Sequence, residues 1–545
     1  MVALSVLSLS FTLSSCSDDD EATPTYGDPS VTAFIGGVNS AGEIPLTIAV
    51  TAPAGLKSVT LGDTEIKSYT NGETSDIFVY NYKGDATSLV LVVTDVNDNT
   101  GEKTESIVPV VVVDANITAN TSWTKDKRYL LKANIFVTNN ATLTIQAGTI
   151  IFGDKTAKGA LVIERGAKLM AAGTAAEPIV FTSSSPAGFR NAGDWGGLII
   201  LGKAKNNQNT NQNIEGVTAG AFGQYGGDVA DDNSGTITYV RVEFAGIALS
   251  TDNEINGITF GSVGSGTTFN HVQVSYSGDD AFEWFGGNMN ATHLIAFRTW
   301  DDDFDTDFGF TGKIQFAAAF REPNTADKSG SNIFESDNDG NGNPSEPFTA
   351  PTFANVSGFG PFVYAKLSGS TPETYALNNA AVSQNFQNGL HVRRRSQLKL
   401  YNSVILGAGT NGNAALRTTD SKNGASPDAD FQSNYFGRYI GGLTLPATGA
   451  NDLGFNVDAI PTDNNTADKS TINLSTKFAG LSTVGDINAP VATATLAAGS
   501  TLATGALDLT EDSFFQKTDY IGAVGTSAGW LGESWVNFTP GTTAY

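Results

Sequence analysis

Two acidic runs, 22 residues apart, constrain this chain more than any other feature. Gly278–Gly287 reads GDDAFEWFGG and Asp301–Asp307 reads DDDFDTD, so Asp279, Asp280, Phe282 and Glu283 fall on Asp301, Asp302, Phe304 and Asp305. A recurrence of about twenty residues around one Phe is the period of a stacked coil. Each turn is too short to bury its own apolar face and depends on the turns above and below. The same pattern starts earlier. Leu143-Thr144-Ile145 and Gly148-Thr149 are echoed by Leu169-Met170-Ala171 and Gly173-Thr174, and the series continues through Gly196-Gly197-Leu198-Ile199-Ile200-Leu201. Short apolar strands without a helical period predict a right-handed, single-stranded parallel β-helix over residues 115–545, closed by a C-terminal cap.

Residues 30–114 differ. Runs such as SVTAFI, EIPLTIAV, LKSVTL, DIFVYNYK, SLVLVVTD and ESIVPVVVV alternate in polarity between Gly/Asp/Asn turns, which predicts an immunoglobulin-like β-sandwich ahead of the β-helix. The whole chain is thus expected to be all-β, in keeping with 60 Gly in 545 residues. Lys203–Ser234, rich in Asn, Gln and Gly, interrupts the coils and reads as a long exposed loop. Residues 410–510 lose the pattern and read as irregular final coils.

A net charge of −25 excludes nucleic acid as a partner, because phosphate needs a Lys/Arg surface. The single cysteine, Cys16, excludes an intrachain disulfide. Val2–Leu13 is an apolar run of signal-peptide length. It ends in Leu13-Ser14-Ser15-Cys16, which resembles the lipobox of bacterial lipoproteins. That resemblance implies cleavage of residues 1–15, a lipid on Cys16 and an acidic tether over 16–29. Ser17-Asp18-Asp19-Asp20-Glu21 resembles the signal that sends Bacteroidetes lipoproteins to the cell exterior. WGGLIILGKA, EINGITFGSVGSGTTFNHVQV, DDAFEWFGG, GLHVRRRSQLKLYNSVILGAG, DSFFQKTDYIGAVG and GWLGESWVNF are similar to a family of Bacteroidetes surface lipoproteins with a pectin-lyase-like β-helix. The resemblance implies an outer-membrane, outward-facing protein and leaves its reaction open.

Phased on the inward Phe, the acidic series extends to SNIFESD at Ser331–Asp337 and NGLHVR at Asn388–Arg393. Phe282, Phe304, Phe334 and Leu390 then point inward. Because strand side chains alternate, Glu283, Asp305, Glu335 and His391 point outward, and so do Phe285, Asp307, Asp337 and Arg393. Asp280, Asp302, Asn332 and Asn388 form a third column of the kind that stacks at coil corners. Carboxylates about 5 Å apart repel by about 3 kcal/mol at an effective dielectric near 20. A cation, an arginine or a retained proton must relieve them.

Several functions suit this pattern. Glu283, Asp305, Asp307, Glu335 and Asp337 are candidate Ca²⁺ ligands. Phe285 and Arg393, Arg394 and Arg395 are candidate contacts to a polysaccharide or a surface protein, with Phe285 and Trp300 stacking on sugar rings. The alternative is an enzyme, a polysaccharide lyase or glycoside hydrolase, with Asp305, Asp307, His391 and Arg393 as catalytic candidates. A third possibility is an adhesin or an accessory subunit of a surface transporter. Corner stacking alone also places Asp and Asn in columns, without any ligand. The Asp95–Asp98 turn and Asp339-Gly340-Asn341 read as plain turns, and His271 and His293 lack triad partners. Zinc spacings, nucleotide-binding glycine loops and Gly-x-Ser-x-Gly elbows are absent from the sequence.

Overall fold

The computed structural model describes residues 25–217, 220–250, 253–364, 376–377, 380–407, 416–417, 430–432, 435–437, 455–456, 466–468, 476–481 and 485–545. The apolar leader, Cys16, residues 17–21 and most of 410–475 lie outside the described residues. No helix among the described residues is long and apolar enough to cross a membrane.

Two compact units are present. The first carries two antiparallel sheets. Ser30–Ile35, Ile44–Thr51 and Ser75–Tyr82 make one; Thr64–Ser68, Leu56–Leu61, Ser88–Asp95 and Thr100–Ser106 make the other. Alternation buries Ile44, Leu46, Ile48 and Val50 on one sheet and Leu89, Leu91 and Val93 on the other, the burial pattern of a β-sandwich. Val110–Val113, expected with this unit, instead runs parallel to Arg128–Leu131 and joins the coils.

The second unit is a parallel β-helix built on two long sheets, of seventeen and ten strands among the described residues. Its inside is a column of apolar side chains. Phe282, Phe304 and Phe334 stack at 5.8 and 5.1 Å, and Trp284 lies between Phe260 and Phe310 at 5.3 and 5.4 Å. The long strands of the seventeen-strand sheet bend at one position in each coil. Tyr239, His271, His293, Phe316, Asn355 and Asn402 all take the left-handed conformation there, with φ between 50° and 63°. A non-glycine residue in that conformation costs roughly 1–2 kcal/mol. Ring stacking along the column offsets the strain: Tyr239 on His271 at 4.4 Å, His271 on His293 at 4.2 Å, and His293 on Phe316 at 5.0 Å. Two of the three histidines are therefore corner residues.

The C-terminal segment does not sit on the end of the stack. Residues 501–545 run along the outer face of the seventeen-strand sheet. Side-chain amides hold it there as a neighbouring strand would. Gln273 donates to Asn537 O and accepts from Asn537 N, Gln315 does the same with Gln516, and Asn402 with Leu507. Trp530 and Trp535 close over His293 and His271 edge-on. The Tyr545 hydroxyl donates to the buried Glu243 carboxylate.

Trp535 is fully buried, whereas Trp300 is 42 % exposed. Trp535→Ala is expected to cost about 3–5 kcal/mol and Trp300→Ala less than about 0.5 kcal/mol. Denaturant unfolding of both variants checks this, and equal losses would contradict the packing described.

Candidate functional site

The outer face of the ten-strand sheet carries the acidic columns in register. Glu283 pairs with Asp305, Asp305 with Glu335, and Glu335 with His391; Phe285 pairs with Asp307. Earlier coils put Ile199 and Leu201, then Thr259 and Gly261, at the same two positions. Along the stack this face therefore passes from apolar to acidic to basic.

The apolar end is covered, and by the segment expected to be an exposed loop. Ile214, Val217 and Tyr225 of the 203–234 excursion, with Ile247 and Ile255 of the following hairpin, pack on Phe136, Val162, Ile199 and Leu201. A polar composition concealed the few apolar residues that do this. Gly261 is required beneath it, since a Cβ there would lie 2.7 Å from the Tyr225 ring. Phe285 is a second correction. It points outward as expected but is 4 % exposed, packed against Tyr225 and Phe308, and offers no face to a sugar.

The acidic columns are half-buried rather than an open flank. Beside them runs the corner ladder. Asp302 N–H donates to Asp280 Oδ1 at 2.7 Å, Asn332 N–H donates to Asp302 Oδ1, and Asn388 donates from its backbone and its amide to Asn332 Oδ1. Asn256 holds the equivalent position one coil earlier, two before Ile258 as Asp280 is two before Phe282; its amide donates to Glu283, but its Oδ1 makes no ladder bond among the described residues. The Asn332 amide donates to Glu335 at 3.2 Å. Ladder and outward column converge on two trios whose ligand atoms lie within 4.8 Å of one another: Asp280, Glu283 and Asp305, and Asp302, Asp305 and Glu335. A third trio, Asp279, Asp280 and Asp301, sits at the corner beside Trp300. Oxygen-only donor sets of this kind suit Ca²⁺ better than zinc. Asp307 and Asp337 belong to none of the trios.

Burial raises the carboxyls first, and their neighbours add to it. Asp280, Glu283, Asp302 and Asp307 are held well above the ordinary range by burial, reinforced chiefly by Asp302, Asp305, Asp301 and Asp337 respectively. Asp305 is pushed up to about 7 by burial, against the pull of Arg393. Asp303, inside the coil corner, rises to about 6 by burial despite Arg321 at 3.4 Å.

The arginines relieve only one end. Arg393 donates to Glu335 and, at 2.9 Å, to Asp337, while Arg394 donates to Asp337 at 2.8 Å. Arg395 turns away to Gly342 O. His391 is buried, with Nδ1 3.6 Å from Glu335. The site thus brings together Glu283, Asp305, Glu335, Asp337, His391 and Arg393. Sequence reasoning left Asp280 and Asp302 as corner residues and missed Glu215, Glu254 and Tyr225, whose neighbourhood the excursion and hairpin create. Glu254 N–H donates to Glu215, and both raise Asp279 electrostatically.

Residues 115–440 match a family model described as a pectate-lyase like beta helix domain. The chain belongs to this family. No curated protein matches it.

Carboxyls raised by burial stabilise the fold below about pH 4 and withdraw that stability as pH rises through their folded values, up to about 7 for Asp305. Buried His271 and His293, lowered to about 4 and about 3, act in the opposite sense and cost stability as pH falls below about 6.5. Asp302→Asn keeps the ladder acceptor and removes a charge. With EDTA present it is expected to stabilise by about 1–3 kcal/mol at pH 7.5 and much less at pH 5. Thermal melts at both pH values read the difference, and identical shifts would sink the crowding argument.

Proposed function

We propose that this β-helix binds a polysaccharide across the acidic-to-basic outer face of its ten-strand sheet, on a protein lipid-anchored at Cys16 and displayed on the outer membrane. The observation that carries this is the in-register run Glu283, Asp305, Glu335, His391. Coils repeat at about 4.8 Å, so successive carboxylates present acceptors along a line, as a sugar chain presents hydroxyls. The family membership supports a carbohydrate-binding or processing role. The lipobox resemblance at Leu13–Cys16 supports the anchor.

Asp305 favours a second reading, polysaccharide cleavage. A carboxyl titrating near neutrality is suited to donate a proton to a leaving oxygen and take one back from water. Asp307, His391 and Arg393 lie on the same face to orient the chain. Arg393 is committed to Glu335 and Asp337, which makes it a poor base.

Affinity electrophoresis in gels containing neutral or uronate polysaccharides tests binding. Retardation is expected for the wild type and is expected to weaken about tenfold, or 1.4 kcal/mol, in Asp305→Asn with Asp307→Asn. Unretarded migration in every gel would end the proposal. Release of reducing or unsaturated ends decides between binding and cleavage. For the anchor, Cys16→Ser is expected to move the protein from the membrane pellet to the soluble fraction; continued pelleting would refute it.

A further inference from the structure

We infer that the outer edge of strand Ser75–Tyr82 pairs with the same strand of a second copy of this chain, joining two sandwiches through one continuous sheet. The inference does not depend on the polysaccharide reading, because it concerns the other compact unit.

The edges of the sandwich are treated unequally. An edge strand offers a row of unpaired backbone groups, and proteins blunt such rows with brevity, charge, proline or a bulge. Four strands lie at edges here. Thr64–Ser68 is five residues long, carries Lys67 and meets its neighbour through a register shift. Thr100–Ser106 carries Glu102, Lys103 and Glu105. Ser30–Ile35 follows Pro29, and Gly101 backs onto it so closely that a Cβ would lie 2.1 Å from Pro29 O. Ser75–Tyr82 runs for eight residues with neither proline nor lysine, and among the described residues no strand pairs on its outer side. Its one charge, Asp76, is drawn aside. Lys67 and Tyr69 hold Oδ2, and Oδ1 accepts from Ile77 N–H.

The bond from Ala52 N–H to Thr74 O sets this strand on the middle strand, Ile44–Thr51. Counting along an antiparallel ladder from there, Asp76, Phe78 and Tyr80 turn their backbone groups toward the middle strand, and Ile77 and Val79 turn theirs outward. The same count sets Val79 beside Thr47 and Ile77 beside Ala49. On the far side Gly36 N–H donates to Pro45 O, which sets Phe34 beside Thr47 and Thr32 beside Ala49. The outer face thus carries Phe34, Ile77 and Val79, which are 73, 61 and 61 % exposed. Large apolar side chains this open, gathered on one small sheet beside an unpaired edge, mark an association surface.

Charge and symmetry choose the occupant. The chain carries a net charge of −25, so copies repel one another over most of their surface. The strands of this sheet, of six, eight and eight residues, hold only Asp76, and Lys67 neutralises it. A copy approaches here without that repulsion. A two-fold axis through Phe78 is self-complementary. It sets Ile77 opposite the second copy's Val79 twice over, brings the outward backbone groups of both into bonding pairs, and keeps the two Asp76 carboxylates at opposite ends. Ile77 N–H exchanges Asp76 Oδ1 for the second copy's Val79 carbonyl. Across the seam each outer row reads Phe34, Thr47, Val79, then Ile77, Ala49 and Thr32 of the second copy, so Ile and Val meet at the centre.

Sedimentation velocity on the full chain carrying Cys16→Ser, over a concentration series and without saccharide, tests the pairing. A concentration-dependent species of twice the monomer mass is expected. Adding Ile77→Lys with Val79→Lys, both at exposed positions, is expected to raise the dissociation constant about tenfold or more, because lysines then oppose one another across the seam. Thermal melts check that this variant folds. Register is read by mixing Ile77→Cys and Val79→Cys forms of the Cys16→Ser chain under mild oxidation. Disulfides between the two different variants are expected to predominate, since like variants stand two residues out of register, beyond the Cα separation of about 7 Å that a disulfide spans. Should the lysine variant fail to fold, the cysteine mixture decides alone. A monomer at every concentration, a dimer indifferent to the lysines, or equal like and mixed cross-linking would each overturn the inference.

Discussion

Parallel in-register pairing governs everything else in this molecule. When Phe282 pairs with Phe304 and Phe304 with Phe334, every other position in those coils is placed on its equivalent as well. The backbone does not distinguish favourable neighbours from unfavourable ones. Rings placed on rings gain contact area and quadrupole alignment. Carboxylates placed on carboxylates lose solvation and repel. One geometric rule therefore builds the aromatic interior and, two atoms of backbone away, creates the electrostatic problem on the outer face.

That rule also explains what could be read from the chain. The 22-residue recurrence of Asp280, Phe282 and Glu283 defines register directly, because inward and outward columns follow from side-chain alternation alone. The pairing of Glu335 with His391 was legible across a separation of 56 residues, since the inward Phe334 and Leu390 mark the phase. Features that depend on segments folding back were not legible. Nothing in the composition of 203–234 announces that Tyr225 covers Phe285. Nothing local to Gln315 announces that it grips Gln516, 201 residues later. Asp280 and Asp302 are an intermediate case. The acidic recurrence marked their column, and only the ladder bonds, Asp302 N–H to Asp280 and Asn332 N–H to Asp302, show what the side chains do there.

The corner column shows a cost met collectively. Tyr239, His271, His293 and Phe316 adopt a conformation that no one of them prefers, and each is held there by the ring above and below. Burial keeps both histidines neutral, so their pairing at 4.2 Å carries no repulsion at neutral pH. Among the described residues, the arginines that answer the acidic columns hydrogen-bond at Glu335 and Asp337, while Asp307 accepts from the Phe308 N–H. Glu283 and Asp305 have no arginine hydrogen-bonded to them among those residues, and burial raises both.

The amide clamps along residues 501–545 have a consequence for the order in which the molecule is made. Coils near Gln273 and Gln315 leave the ribosome long before the segment that seals their outer face. Until that segment arrives, Ile295, Phe297, Phe320 and the histidine column stand open to water. The coils are thus made before residues 501–545, which cover their outer face, and removing that segment uncovers Ile295, Phe297 and Phe320.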